Sequence, residues 1–169
     1  AMEFVPFKKT FRARVPLLMT AHIRMEKIDP QWPATISEKI LQSILRKQLG
    51  YRNVIITDDM EMKAVFNNFK VEEAAVQAVK AGCNILLYCH TLEVQQRALE
   101  AITKAVVDGA IPLATIENNY KMVLKLKKDF LKPYSPVNVT EVAKIVGHPD
   151  HVRLAKQIAR KEIPPDLST

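Results

Sequence analysis

The sequence predicts an α/β fold with parallel strands, and two observations carry that prediction. Val54, Ile55 and Ile56 are consecutive and β-branched with no polar alternation, which is how a strand covered by helices in a parallel sheet reads. Short apolar runs also alternate with longer amphipathic segments that stop at Gly50, Gly82 and Gly109, as consecutive strand-and-helix units do. Each such unit implies a right-handed crossover.

The elements follow in order. Phe4, Phe7 and Phe11, interleaved with Lys and Arg, predict a short amphipathic helix within 3–14. Val15 to Met19 reads as a buried strand, with Pro16 tolerable only near its beginning because it lacks an N–H. Residues 24–36 form a loop with Pro30, Pro33 and the single Trp32, which is expected to pack against the next helix, although a loop Trp can also stack on a sugar ring. Thr35 and Glu38 have capping-box spacing, Ser37 is the alternative N-cap, and Ile40, Leu41, Ile44, Leu45 and Leu49 recur on one face before Gly50.

The second half continues the alternation. After the Val54 strand the chain turns helical, and Asn67 or Asn68 is expected to cap a helix over 71–81 whose apolar face is Ala74, Ala75, Ala78 and Val79. Ile85, Leu86 and Leu87 form a third strand. A helix over 92–108 is expected to pair Glu93 with Arg97 and Glu100 with Lys104 on its solvated face. Another, over 115–131, is expected to bury Ile116, Tyr120, Val123 and Leu124 and to pair Glu117 with Lys121. Past Pro133, Tyr134 to Val137 reads as a linker, followed by helices over 140–147 and 149–161.

Composition narrows the function classes. With 169 residues, 48% hydrophobic and 25% charged, the chain can build a domain with a core of its own. No apolar run approaches the roughly 20 residues of a membrane span, and no leader-like segment opens the sequence, so a cytoplasmic location is favoured, with a secreted or lipoprotein form of an intact protein left open. The net charge of +7 is spread over Lys8, Lys9, Arg12 and Arg14 and a helical stripe of Lys121, Lys125, Lys128 and Lys132, without a recognition motif or interleaved aromatics. Neither nucleic acid nor membrane is therefore an expected partner. Cys83 and Cys89 would lie roughly 20 Å apart along one strand, too far for a disulfide, and read as buried thiols. His148 and His151 beside Asp150 read as surface chemistry, and no metal site is expected.

The chemistry is expected where the apolar run ends in Asp58 and Asp59, because loops after the carboxyl ends of parallel strands build active sites. Strand alternation would send one acid to the mouth of the sheet and the other toward helices or loop. His22 and His90 end the neighbouring strands on the same layer and are candidate substrate-binding residues.

The segment V-I-I-T-D-D-M-E-M-K-A-V, from Val54 to Val65, resembles the nucleophile region of glycoside hydrolase family 3 in its β-N-acetylglucosaminidase branch. V-P-L-L-M-T-A-H-I (Val15 to Ile23), D-P-x-x-P-A-T-I-S (Asp29 to Ser37), L-R-K-Q-L-G-Y (Leu45 to Tyr51) and E-E-A-A-V-Q-A-V-K-A-G-C-N-I-L-L-Y-C-H (Glu72 to His90) follow that branch in order and spacing. Arg52 and Asn53 depart from it, standing where an acidic residue and a glycine are common. The resemblance implies the later portion of a (β/α)8 barrel of the TIM type, about three βα units over 1–134, and a helical linker over 135–169 leading toward a second domain.

By the same resemblance Asp58 is the catalytic nucleophile of a retaining glycosidase acting on an amino-sugar glycoside or peptidoglycan-derived substrate, and His22 lies close to the sugar; Met62 and His90, on the same rim, are further candidate substrate-binding residues. No metal or organic cofactor is implied. Retaining enzymes pair the nucleophile with an acid/base group, about 5 to 5.5 Å away when both are carboxyls. The branch takes its acid/base from a loop histidine and binds sugar through a K-H-F-P-G-H segment, and neither occurs in these residues, so little activity is expected of this chain alone. A β-glucosidase or phosphorylase of the same family remains open. So does a non-catalytic half-barrel that pairs with the missing half or with a second copy through its sheet edges, and so does a generic basic binding domain.

Overall fold

The computed structural model describes residues 2–161. Two compact units divide the chain, residues 1–130 and residues 131–169, and each is described by itself. Residues 162–169, the end of the expected linker, lie outside the described residues.

The first unit opens with helix α1, Phe4–Arg12, and strand β1, Leu17–Met19. A single 3-10 turn, Ala34–Ile36, leads into a π-helix, Lys39–Gln48, and then strand β2, Val54–Asp59. Helices α2, Lys63–Phe66, and α3, Val71–Ala81, precede strand β3, Ile85–Leu87. Helices α4, Leu92–Val107, and α5, Leu113–Leu131, follow, the last residue of α5 falling in the second unit. The three strands form one parallel sheet in the order β1-β2-β3, as the alternation of elements predicts.

Two faces of the sheet differ in cover. Ile55 and Thr57 are fully buried on the helix side, in a core with Ile36, Leu41, Leu45, Tyr51, Val65 and the small residues Ala74, Ala78 and Ala81 of α3. Alanines let α3 approach α4 closely, where Val71 and Ala75 meet Val94 and Ala98. On the other face, β1 leaves Met19 55% exposed. Pairing is regular between β1 and β2, with Leu17 opposite Val54 and Met19 opposite Ile56. Between β2 and β3 the register shifts after Ile56, so that Asp59 stands opposite Leu87. The hydroxyl of Thr57 accepts the Leu87 N–H at 2.8 Å, closing the ladder across that bulge.

At the opposite end of the strands Arg46 ties the sheet together. Its guanidinium donates to the carbonyls of Tyr51 and Asn53 and to Asn84 Oδ1, which also accepts the N–H of Ile55. Asn53, one of the departures from the family pattern, donates to Val15 O at 2.8 Å and clamps β1 to β2.

Several expectations are corrected. Ser37, not Thr35, caps the π-helix: its hydroxyl accepts the Ile40 N–H while donating to Asp29. Neither Asn67 nor Asn68 caps α3, which starts from Lys70 without a side-chain cap. Trp32 packs against the core and meets Phe69 with tilted rings, centroids 5.1 Å apart. Arg97 bridges to Glu72 on α3, and Lys104 to Asp108, in place of the expected partners. In α5 the inward face is rotated: Ile116, Met122, Val123 and Leu126 are half-buried, while Tyr120 and Leu124 are exposed. On that inward face Asn119 accepts from Asn84 Nδ2 and donates to Cys83 O. Cys83 is buried and its thiol is pushed up to about 12 by that burial, but Cys89 is exposed, because β3 ends at Leu87.

In the second unit, α6, Val139–Ile145, is capped by Asn138, whose side-chain Oδ1 accepts the Thr140 N–H, and α7, Pro149–Ala159, follows a turn at Gly147.

Candidate active site

Because the strands run in one direction, their carboxyl ends share a rim. That rim gathers Thr20 to His22, Asp58 to Met62 and Cys89 to Thr91. His22 and His90, far apart in sequence, both reach Asp59 there.

Asp59 is the hub. Its Oδ1 accepts the N–H groups of Glu61, at 3.1 Å, and Cys89, at 3.3 Å, and its Oδ2 lies 3.2 Å from His90 Nε2. Its carbonyl accepts from His22 Nε2 at 2.9 Å and from the Met62 N–H at 3.0 Å. Glu61 extends the same pattern. Its carboxylate takes the N–H groups of His90 and Thr91 at the start of α4, where a negative charge meets the positive end of the helix dipole. Partial desolvation opposes ionisation of Glu61, but the backbone donors of His90 and Thr91 hold it below the usual carboxylate range. Two of the three acids in this turn are thus committed to pinning the β3–α4 loop.

Asp58 is different. Among the described residues its carboxylate takes one hydrogen bond, from the N–H of Asp59 to Oδ1 at 2.8 Å. It is half-buried, neither sealed in the core nor directed to the far end of the strands. The separation of the two aspartates into a loop-bound acid and an available one matches the expectation from strand alternation, although the bulge after Ile56 means that hydrogen bonding, rather than parity alone, sets it.

His22 is held from both sides: Nδ1 lies 2.9 Å from Thr35 Oγ1, and Thr20 Oγ1 donates to Thr35 Oγ1 at 2.9 Å. Both ring nitrogens are engaged within the protein, so any contact with a sugar would come from a C–H edge or the ring face. His90 is exposed with Nδ1 available, and Met62, the residue before α2, is exposed at the same rim. Sequence reasoning missed Thr35 and Glu61. The first read as a helix cap, and the second has no local partner, since its donors lie about thirty residues downstream.

A parallel sheet backed by helices, with an available carboxylate at the carboxyl end of its central strand, is the arrangement of a portion of an α/β barrel of the TIM type. Residues 1–126 match the model of the glycosyl hydrolase family 3 N terminal domain, and the chain belongs to that family. A β-hexosaminidase of Nitrosomonas eutropha is 40% identical over 88 residues, which is 52% of this chain and 25% of the relative. One of Stenotrophomonas maltophilia is 34% identical over 116 residues, 69% of this chain and 34% of the relative. A glycoside hydrolase family 3 β-N-acetylglucosaminidase from Paenibacillus sp. superposes with a TM-score of 0.80 at 32% identity, covering 95% of this chain and 31% of that one. The chain therefore spans a quarter to a third of the length of the relatives it matches.

Proposed function

We propose that these residues carry the nucleophile of a retaining glycosidase that releases terminal β-linked N-acetylglucosamine. The observation that carries the reading is the availability of Asp58 beside two carboxylates that the neighbouring loop consumes. Similarity to the β-hexosaminidases supports a hexosaminide, and similarity to the Paenibacillus β-N-acetylglucosaminidase supports N-acetylglucosamine.

In the reaction, an Asp58 oxygen attacks the anomeric carbon as the bond to the leaving-group oxygen breaks, and a proton from an acid/base group outside these residues goes to that oxygen. Water then opens the glycosyl-aspartate, with the same group taking its proton. His90 and Met62 stand at the rim where the sugar would meet them. Helices α6 and α7 are read as a lead-in to a further domain.

Little turnover of ordinary glycosides is expected from the 169 residues alone. The nucleophile can still be tested alone, because a dinitrophenyl leaving group departs without protonation. Incubation with a dinitrophenyl fluoro-N-acetylglucosaminide, followed by mass analysis, is expected to label Asp58 and to leave Asp58→Asn unlabelled. Labelling of Asp59 or Glu61 instead would overturn the assignment. Rapid hydrolysis of an aryl β-N-acetylglucosaminide that Asp58→Asn abolishes would show that the acid/base segment is dispensable.

A further inference from the structure

We propose that His22 is a positioning residue for Asp58, kept as the Nε2–H tautomer by the buried hydroxyls of Thr20 and Thr35. The inference rests on reading Asp58 as the nucleophile.

The argument is one of donors and acceptors. The Asp59 carbonyl can only accept, so His22 Nε2, 2.9 Å away, carries a proton. In the neutral ring Nδ1 must then accept, and the group facing it is the Thr35 hydroxyl at 2.9 Å. Thr35 is free to donate there because its own oxygen is supplied by Thr20. Thr35 is fully buried and Thr20 nearly so, which keeps water from offering an alternative partner. The hydrogen bonds therefore run in one direction, from Thr20 just after β1 to Thr35 in the 3-10 turn, back to His22, and on to the carbonyl of Asp59 at the end of β2.

The end of that chain is next to the nucleophile. Asp59 presents its carbonyl to His22 and its N–H to Asp58 Oδ1 at 2.8 Å, so the two bonds hold opposite sides of one residue. A carbonyl anchored to a neighbouring strand limits rotation of Asp59, and the N–H that orients the attacking carboxylate is limited with it. Small displacements of a reacting atom cost rate steeply, so a strand-end residue fixed from outside its own strand is a positioning device. A histidine that hydrogen-bonded the sugar would need a ring nitrogen to spare, and His22 has both nitrogens in use.

The test uses the isotope-labelled 169-residue chain and nitrogen and carbon NMR. Wild-type His22 is expected to show its proton on Nε2 and an accepting Nδ1. Thr35→Val is expected to move the His22 Nδ1 resonance to the position of a non-bonded acceptor and to shift the Asp58 carboxyl carbon, although Thr35 does not touch Asp58. Thr35→Ser, which restores the hydroxyl, is expected to return both signals to their wild-type positions. A wild-type proton on Nδ1, or an Asp58 signal unmoved in a folded Thr35→Val chain, would overturn the proposal. The wild-type tautomer decides the matter even if the valine variant fails to fold. No readout needs turnover, so the outcome is independent of Asp58 labelling, which tests the glycosidase reading by itself.

Discussion

Among single residues, Asp29 shows how a short polar motif makes structure. In D-P-x-x-P-A-T-I-S it is buried and accepts from the Ser37 hydroxyl at 2.6 Å and from the N–H groups of Gln31 and Trp32. Burial pushes its carboxyl up, but Ser37, the two backbone donors and Lys39 outweigh that and hold it below 3.8. A depressed folded-state value means that its stabilisation is complete above the unfolded value and is lost as pH falls through the folded one. Asp29→Ala is expected to cost about 1–3 kcal/mol by leaving buried donors unsatisfied, measured by urea unfolding at neutral pH. The gap between wild type and Asp29→Asn should be flat above about pH 5 and narrow below about pH 4. A gap that widens on acidification would contradict the sign. The position of Asp58 was legible at this scale, because an apolar run ending in carboxylates marks a strand end; its availability was not, because Asp59 and Glu61 find their partners about thirty residues downstream, before α4.

The elements themselves were mostly legible from period and punctuation. All three strands and the helices at 71–81, 92–107 and 113–131 lie within a few residues of the expected bounds, since apolar spacing and a following glycine are local signals. The wide turn of the π-helix and the rotation of α5 were not, because both depend on what each helix packs against. Gly82 gives the element-scale test. It ends α3 at φ +107, and a Cβ there would lie 2.2 Å from Gln42 Nε2. Gly82→Ala is expected to lower the unfolding free energy by about 1–2 kcal/mol from the backbone alone. Adding Gln42→Ala should remove the clash but not that loss, so full recovery of stability in the double variant would show that φ is not the constraint.

For the whole first unit, the consequence of a three-stranded sheet is that β1 and β3 are edges among the described residues. Leu17 and Met19 are exposed on β1, and an apolar strand edge is a template for pairing. Light scattering of the isolated chain is therefore expected to show a mass that rises with concentration, and Met19→Lys to suppress the rise. A constant monomer mass across the range would sink this expectation.

Sequence alone determined the order and kind of the elements, their parallel direction and the strand that ends in acid, because each follows from side chains within a few residues of one another. Only the tertiary structure decided which acid is free, which histidine reaches which oxygen, and which faces stay open. Those outcomes depend on groups that lie roughly thirty residues apart in the chain and meet only when helices close over one side of the sheet.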